Sequence, residues 1–138
     1  MSLPRLQSFL LRMNHELGLG ADAAFVRFVT DREMLRLNER FRKKVKTTDV
    51  LSFPSETRSQ PSTLRRRTME LRGSFLGDIA ISPTVARRNA KACGRTMSEE
   101  ICILMLHGVL HLLGYDHETD RGEMERVEAT LRRRLGLS

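Results

Sequence analysis

Three of the chain's four histidines fall within eleven residues, His107-Gly-Val-Leu-His111-Leu-Leu-Gly114-Tyr-Asp116-His117. His107 and His111 are four apart, so on a helix they project from one face about one turn apart. His117 comes six residues later, past Gly114, which can end the helix and turn the chain back. Three neutral imidazoles around one point, with one coordination position left open, are the usual build of a catalytic zinc site. The pattern therefore assigns one Zn2+ ion to His107, His111 and His117. A single histidine on an apolar helix is ordinarily a satisfied core residue. Two at this spacing each need a hydrogen-bond partner when buried, and a third after a glycine break makes coincidence a poor explanation.

The residue after His107 narrows the chemistry. In zinc proteases of the H-E-x-x-H type the glutamate there is the general base. Here it is Gly108, so the spacing is that of the longer metzincin pattern but the base is missing, which disfavours a protease. A glycine inside a helix costs about 1 kcal/mol relative to alanine. Two compatible readings explain it: close packing of another backbone, or clearance for substrate beside His107. Three neutral ligands leave the metal its full charge, which suits an anionic phosphodiester better than a neutral amide. Such a metal lowers the pKa of bound water and polarises a phosphoryl oxygen. Phosphoryl transfer usually needs a second cation at the non-bridging oxygens, and Arg42 is the candidate, although its spacing alone fits a solvated arginine more readily. Arg42 and His107 are thus the candidate catalytic residues. Asp116 either orients a histidine ring as an acceptor or caps a loop. His15 is isolated and reads as a surface residue. No G-x-S-x-G, P-loop or G-x-G-x-x-G motif occurs.

The elements that must position these groups follow from periodicity. Apolar residues at Leu3, Leu6, Phe9, Leu10, Met13 and Leu17 predict a first helix, ended by Gly18 and Gly20. Residues 24–29 predict a strand. Thr30 or Asp31 caps a helix running to about Phe41, with Met34, Leu35, Leu37 and Phe41 inward. Residues 49–53 form a short strand stopped by Pro54. Residues 55–73 are polar, basic and poor in β-formers, and read as a mobile loop. Residues 75–81 form a strand that pairs with 49–53 across that loop. Ser82-Pro83 opens a helix that ends near Gly94. Ser98-Glu99-Glu100 is the expected start of the histidine helix, with Gly114 its end. A final amphipathic helix spans residues 120–135, before Gly136. The order is α+β: a small mixed sheet packed with about five helices, the metal-bearing helix lying on the sheet, in a single domain over residues 1–138.

Composition sets outer limits. A chain of 138 residues can bury one real core. No apolar run approaches the roughly 20 residues of a membrane span, and Met1-Ser-Leu-Pro shows no secretory pattern. Cys93 and Cys102 are nine apart with no CxxC motif, so they read as reduced thiols without a disulfide partner in a cytoplasmic protein. Lys and Arg number 24 against 17 Asp and Glu, a net charge of +7. That excess favours a polyanionic partner, nucleic acid first, or else marks a solvated basic surface. The cations cluster: Arg40, Arg42, Lys43, Lys44 and Lys46 in one loop, Arg65, Arg66 and Arg67 in another. Arg132, Arg133 and Arg134 belong to the last helix and its dipole. One Tyr and no Trp give no support to an aromatic stacking platform.

Four segments together resemble the YbeY family of bacterial endoribonucleases: Leu37-Asn-Glu-Arg-Phe-Arg42, Thr48-Asp-Val-Leu-Ser-Phe-Pro54, Gly77-Asp-Ile-Ala-Ile-Ser82 and the histidine motif of residues 107–117. They extend over most of the chain from residue 25 onward, in the family order. The resemblance implies a single-domain α+β fold related to zincin proteases, with zinc on His107, His111 and His117. It implies a metal-dependent endoribonuclease preferring single-stranded RNA, acting in maturation of the small-subunit (16S) ribosomal RNA 3′ end and in ribosome quality control. Its partners would be ribosomal RNA and the small subunit. Arg42 matches the family's functional arginine. Family members open with a short strand before the first helix, whereas this chain begins almost at the helix, implying a natural start upstream or a sheet one strand smaller. The segment 55–73 is unusually rich in arginine. Lys43, Lys44, Lys46, Arg65, Arg66 and Arg67 are the candidate contacts to the RNA backbone. Two other readings of the zinc site stand beside this one: a different metal-dependent hydrolase, and a non-catalytic ribosome-assembly factor whose zinc is structural.

Overall fold

Side chains of successive strand residues point to opposite faces, and that alternation sets the layers of this protein. The computed structural model describes residues 3–20, 23–42, 50–54, 76–115 and 121–137. Three strands form the sheet among the described residues: β1 (Ala24–Phe28), β2 (Val50–Pro54) and β3 (Gly77–Ile81), in the order β1-β3-β2. β3 runs antiparallel to β2, with Ser52 opposite Ile79, as the sequence suggests. It also runs parallel to β1, with Val26 opposite Ile79. That second pairing is a crossover, which local sequence does not announce. Ile79 and Ile81 enter the main core, whereas Ala80 between them joins a second cluster with Val29, Met34 and Leu51. β2 repeats the pattern, Val50 packing on the main core and Leu51 and Phe53 on the second cluster.

Helices cover both faces. On the main-core side lie α1 (Leu3–Glu16), α3 (Pro83–Cys93), α4 (Met97–Leu112) and α5 (Glu123–Arg134). On the other side α2 (Asp31–Leu37) buries Met34. The fold is therefore α+β with five α-helices and a mixed three-stranded sheet among the described residues. No described helix is long and apolar enough to cross a membrane.

Three boundaries differ from the sequence reading. α2 stops at Leu37 and the chain continues as a π-helical segment, Asn38–Arg42, where one helix through Phe41 was expected. A π turn has one more residue per hydrogen-bonded ring and no local sequence signature. The histidine helix α4 is capped by Thr96 rather than opened at Ser98. Thr96 Oγ1 accepts from the Glu99 amide at 3.1 Å, and Glu99 Oε1 accepts from the Thr96 amide at 3.2 Å. Only Thr96 has an acid three residues on; Ser98 has Ile101, which cannot return the bond. α5 begins at Glu123, after Gly122 at φ 86° with no side-chain cap, and not at residue 120. Residues 55–73, read as a mobile loop, lie outside the described residues.

Candidate metal centre

α4 is apolar all round, so it is buried on all sides rather than along one stripe. Eleven of its sixteen residues are buried, from Glu100 to Leu112. Its acid, Glu100, is held by Arg95 at 2.8 Å. A helix gripped in this way has little freedom to rotate or slide, and His107 and His111 share its frame. Both rings are half-buried on it, one turn apart.

Each ring is oriented by a separate acceptor. His111 Nδ1 donates to the backbone carbonyl of Tyr115 at 3.0 Å. A carbonyl can only accept, so the proton sits on Nδ1 and the lone pair of the neutral ring on Nε2. The turn that supplies this carbonyl follows from the sequence. The amides of Gly114 and Tyr115 bond back to the carbonyls of His111 and Leu110 at 2.9 and 3.0 Å. Gly114 takes φ 98°, where a side chain is strained. His107 Nε2 meets the carboxylate of Glu128, which reaches across from α5. Glu128 is 8% exposed, and its second oxygen lies 3.7 Å from Arg132. Imidazoles whose second nitrogen is fixed by a carbonyl or a carboxylate are the donors zinc sites use. The two described histidines therefore fit a zinc site in donor chemistry and in ring orientation.

Glu128 is the functional candidate that sequence reasoning missed. The signal was there. Met124, Glu128, Leu131 and Leu135 follow the helical period of the buried stripe, so an acid occupies a core position.

Gly108 is settled on the packing side. A Cβ there would stand 2.8 Å from Ile79 Cγ2 and 2.9 Å from its Cδ1. Its carbonyl accepts from Ser52 Oγ at 3.0 Å. The bare face of the helix is thus turned to β2 and β3 and lets α4 settle on the sheet. Clearance toward substrate is not what that face shows.

The remaining candidates are placed unevenly. His107 and His111 come together. His117 and Asp116 lie outside the described residues, and no group of three metal-binding side chains forms among those described. Arg42 is placed by its backbone, as the last residue of the π-helical segment that continues α2. α2 itself packs on the face of the sheet opposite α4. Lys43, Lys44, Lys46, Arg65, Arg66 and Arg67 lie outside the described residues. His15 is exposed, as its isolation suggests. Both cysteines are free thiols. Cys93 is exposed at the end of α3, whereas Cys102 is buried inside α4, its thiol raised to about 11 by burial and by the nearby Glu99 carboxylate.

Residues 6–136 match the family model described as Endoribonuclease YbeY. The chain is 47% identical over 135 residues to an Endoribonuclease YbeY of Solibacter usitatus, covering 97% of this chain and 80% of that protein. It is 43% identical over 133 residues to the Endoribonuclease YbeY of Koribacter versatilis, covering 96% and 76% of the two chains. Its fold is similar to the solution structure of TM1509 from Thermotoga maritima, with a TM-score of 0.61 and 26% identity over 96% of this chain and 80% of that one.

Proposed function

This chain belongs to the YbeY endoribonuclease family, and from that premise we propose that it is a zinc-dependent endoribonuclease that cuts single-stranded RNA. The observation that carries the zinc reading is the histidine pair of the buried helix α4, with His111 Nδ1 tied to the Tyr115 carbonyl so that Nε2 presents the lone pair. His107, His111 and, beyond the described residues, His117 would hold the ion. Zinc supplies Lewis acidity toward a phosphoryl oxygen and the attacking group. Arg42 supplies a fixed positive charge for the oxygens of the phosphorane. The missing acid after His107 leaves no carboxylate base in the protease position, in keeping with phosphodiester rather than amide chemistry.

The substrate we propose is ribosomal RNA, at the 3′ end of the small-subunit (16S) RNA, with the small subunit as partner in the cytoplasm. The net charge of +7 favours such a polyanion. Lys43, Lys44, Lys46, Arg65, Arg66 and Arg67 would carry the backbone contacts. Replacing Arg65, Arg66 and Arg67 together should lower the slope of log affinity against log salt by about 2 on single-stranded RNA. An unchanged slope removes these arginines from the interface.

The test of the activity is cleavage of matched single- and double-stranded RNAs, followed by end-group analysis. Selective cutting of the single strand supports the proposal; equal cutting of both, or none, contradicts it. A 2′,3′-cyclic phosphate end assigns the attack to the ribose hydroxyl, and a 3′-hydroxyl end assigns it to water.

A further inference from the structure

We propose that Glu128 is the positioning residue for His107, and that through it the last helix of the fold is part of the metal centre. The inference rests on the reading of His107 as a zinc ligand. Glu128 sits on the buried stripe of α5, between Met124 and Leu131, both of the main core. A carboxylate at such a position is costly unless it is paired. Its oxygens meet His107 Nε2 on one side and the Arg132 guanidinium, 3.7 Å away, on the other. A carboxylate accepts, so it fixes the proton of the neutral His107 ring on Nε2, leaves the lone pair on Nδ1, and holds the ring plane. Arg132, one turn along α5, steadies the carboxylate in turn.

The two histidines of α4 are therefore held by acceptors of different origin. His111 is held by the carbonyl of Tyr115, four residues on, which no substitution removes. His107 is held by a side chain that arrives only when α5 docks. Ligation at His107 and the docking of α5 are then linked: anything that loosens the helix weakens the metal, and the metal tightens the helix in return. A purely structural ion pair would glue α5 to α4 without touching metal affinity, and that difference is measurable.

The experiment compares the full chain with Glu128→Gln, which keeps the volume of the buried side chain, and with Glu128→Ala. Three quantities are read: zinc affinity by competition with a chromophoric chelator, Tm of the metal-free protein, and the tautomers of His107 and His111 from long-range 15N–1H correlations. The expected result is Nε2–H for His107 in the wild type and a mixture in Glu128→Gln, with His111 unchanged as the internal control. Zinc affinity should fall by about 10- to 100-fold, and zinc should raise Tm less than in the wild type. If Glu128→Ala does not fold, Glu128→Gln alone decides the question. A lower Tm in Glu128→Gln with equal zinc affinity and an unchanged His107 tautomer would overturn the positioning role and leave the metal centre standing. A wild type that binds no zinc would overturn the metal centre and this inference with it.

Discussion

Helices α2 and α4 begin alike and end differently. Each opens with the same capping box, Thr30 with Glu33 and Thr96 with Glu99, and the paired bonds measure 3.1 and 3.2 Å in both. α2 then runs seven residues, buries Met34 and passes into a π-helical segment. α4 runs sixteen residues with eleven of them buried. The cap decides where a helix starts, and burial decides how far it persists and how firmly it stands. The candidate site draws on both. Its histidines ride on the helix anchored in the main core, and Arg42 ends the segment whose helix rests on a smaller cluster around Met34, Leu51 and Ala80.

The largest effect should come from the core beneath the histidines. Leu110→Ala, at a fully buried position of α4, should cost about 2–5 kcal/mol and weaken zinc binding with it. Met34→Ala should sit near about 2 kcal/mol, the low end of that range, and leave zinc affinity intact while lowering cleavage. Urea denaturation and zinc titration of the two variants check this pair; equal loss of zinc affinity in both would erase the distinction between the helices.

Gly108→Ala comes next. The added methyl gains about 1 kcal/mol in helix propensity but strikes Ile79, so a net loss of roughly 1–3 kcal/mol is expected from overpacking. Combined with Ile79→Ala, which opens the space, the double variant should be about 1 kcal/mol more stable than the sum of the single losses. Strict additivity would mean that the glycine answers to something other than the sheet.

How much of this was legible beforehand depends on the range of the interaction. The histidine spacing, the Thr30 cap, the Ser82-Pro83 start and the strand at residues 77–81 are local and readable. The capping box at Thr96 was equally local, yet Ser98-Glu99-Glu100 resembles a helix start and drew attention one turn too far. The parallel pairing of β1 with β3, the π turn and the side of α4 to which Gly108 turns depend on contacts between distant segments. Glu128 stands between these cases. Its place on the stripe of Met124, Leu131 and Leu135 marks it as buried, but only the docking of α5 on α4 shows that its partner is His107.

Smaller effects sharpen the comparison. Thr30→Ala and Thr96→Ala should each cost about 1 kcal/mol, and about equally, because the cap geometry is the same although the helices are not. A much larger loss at Thr96 in urea denaturation would show that the cap and the burial of α4 are not separable. The least perturbing probe is a thiol reagent at neutral pH. Cys93, exposed on α3, should react at once. Cys102, buried on α4 with its thiol raised to about 11, should react only as the protein unfolds.

The most direct measurement is cleavage of a single-stranded RNA by the purified protein, by chelated protein before and after zinc is restored, and by His111→Ala and Arg42→Ala prepared identically. Chelation and His111→Ala should abolish cleavage, zinc should restore it to the chelated wild type alone, and Arg42→Ala should lose about 10²- to 10³-fold. Cleavage that survives chelation and both substitutions would contradict a metal-dependent ribonuclease centred on these histidines.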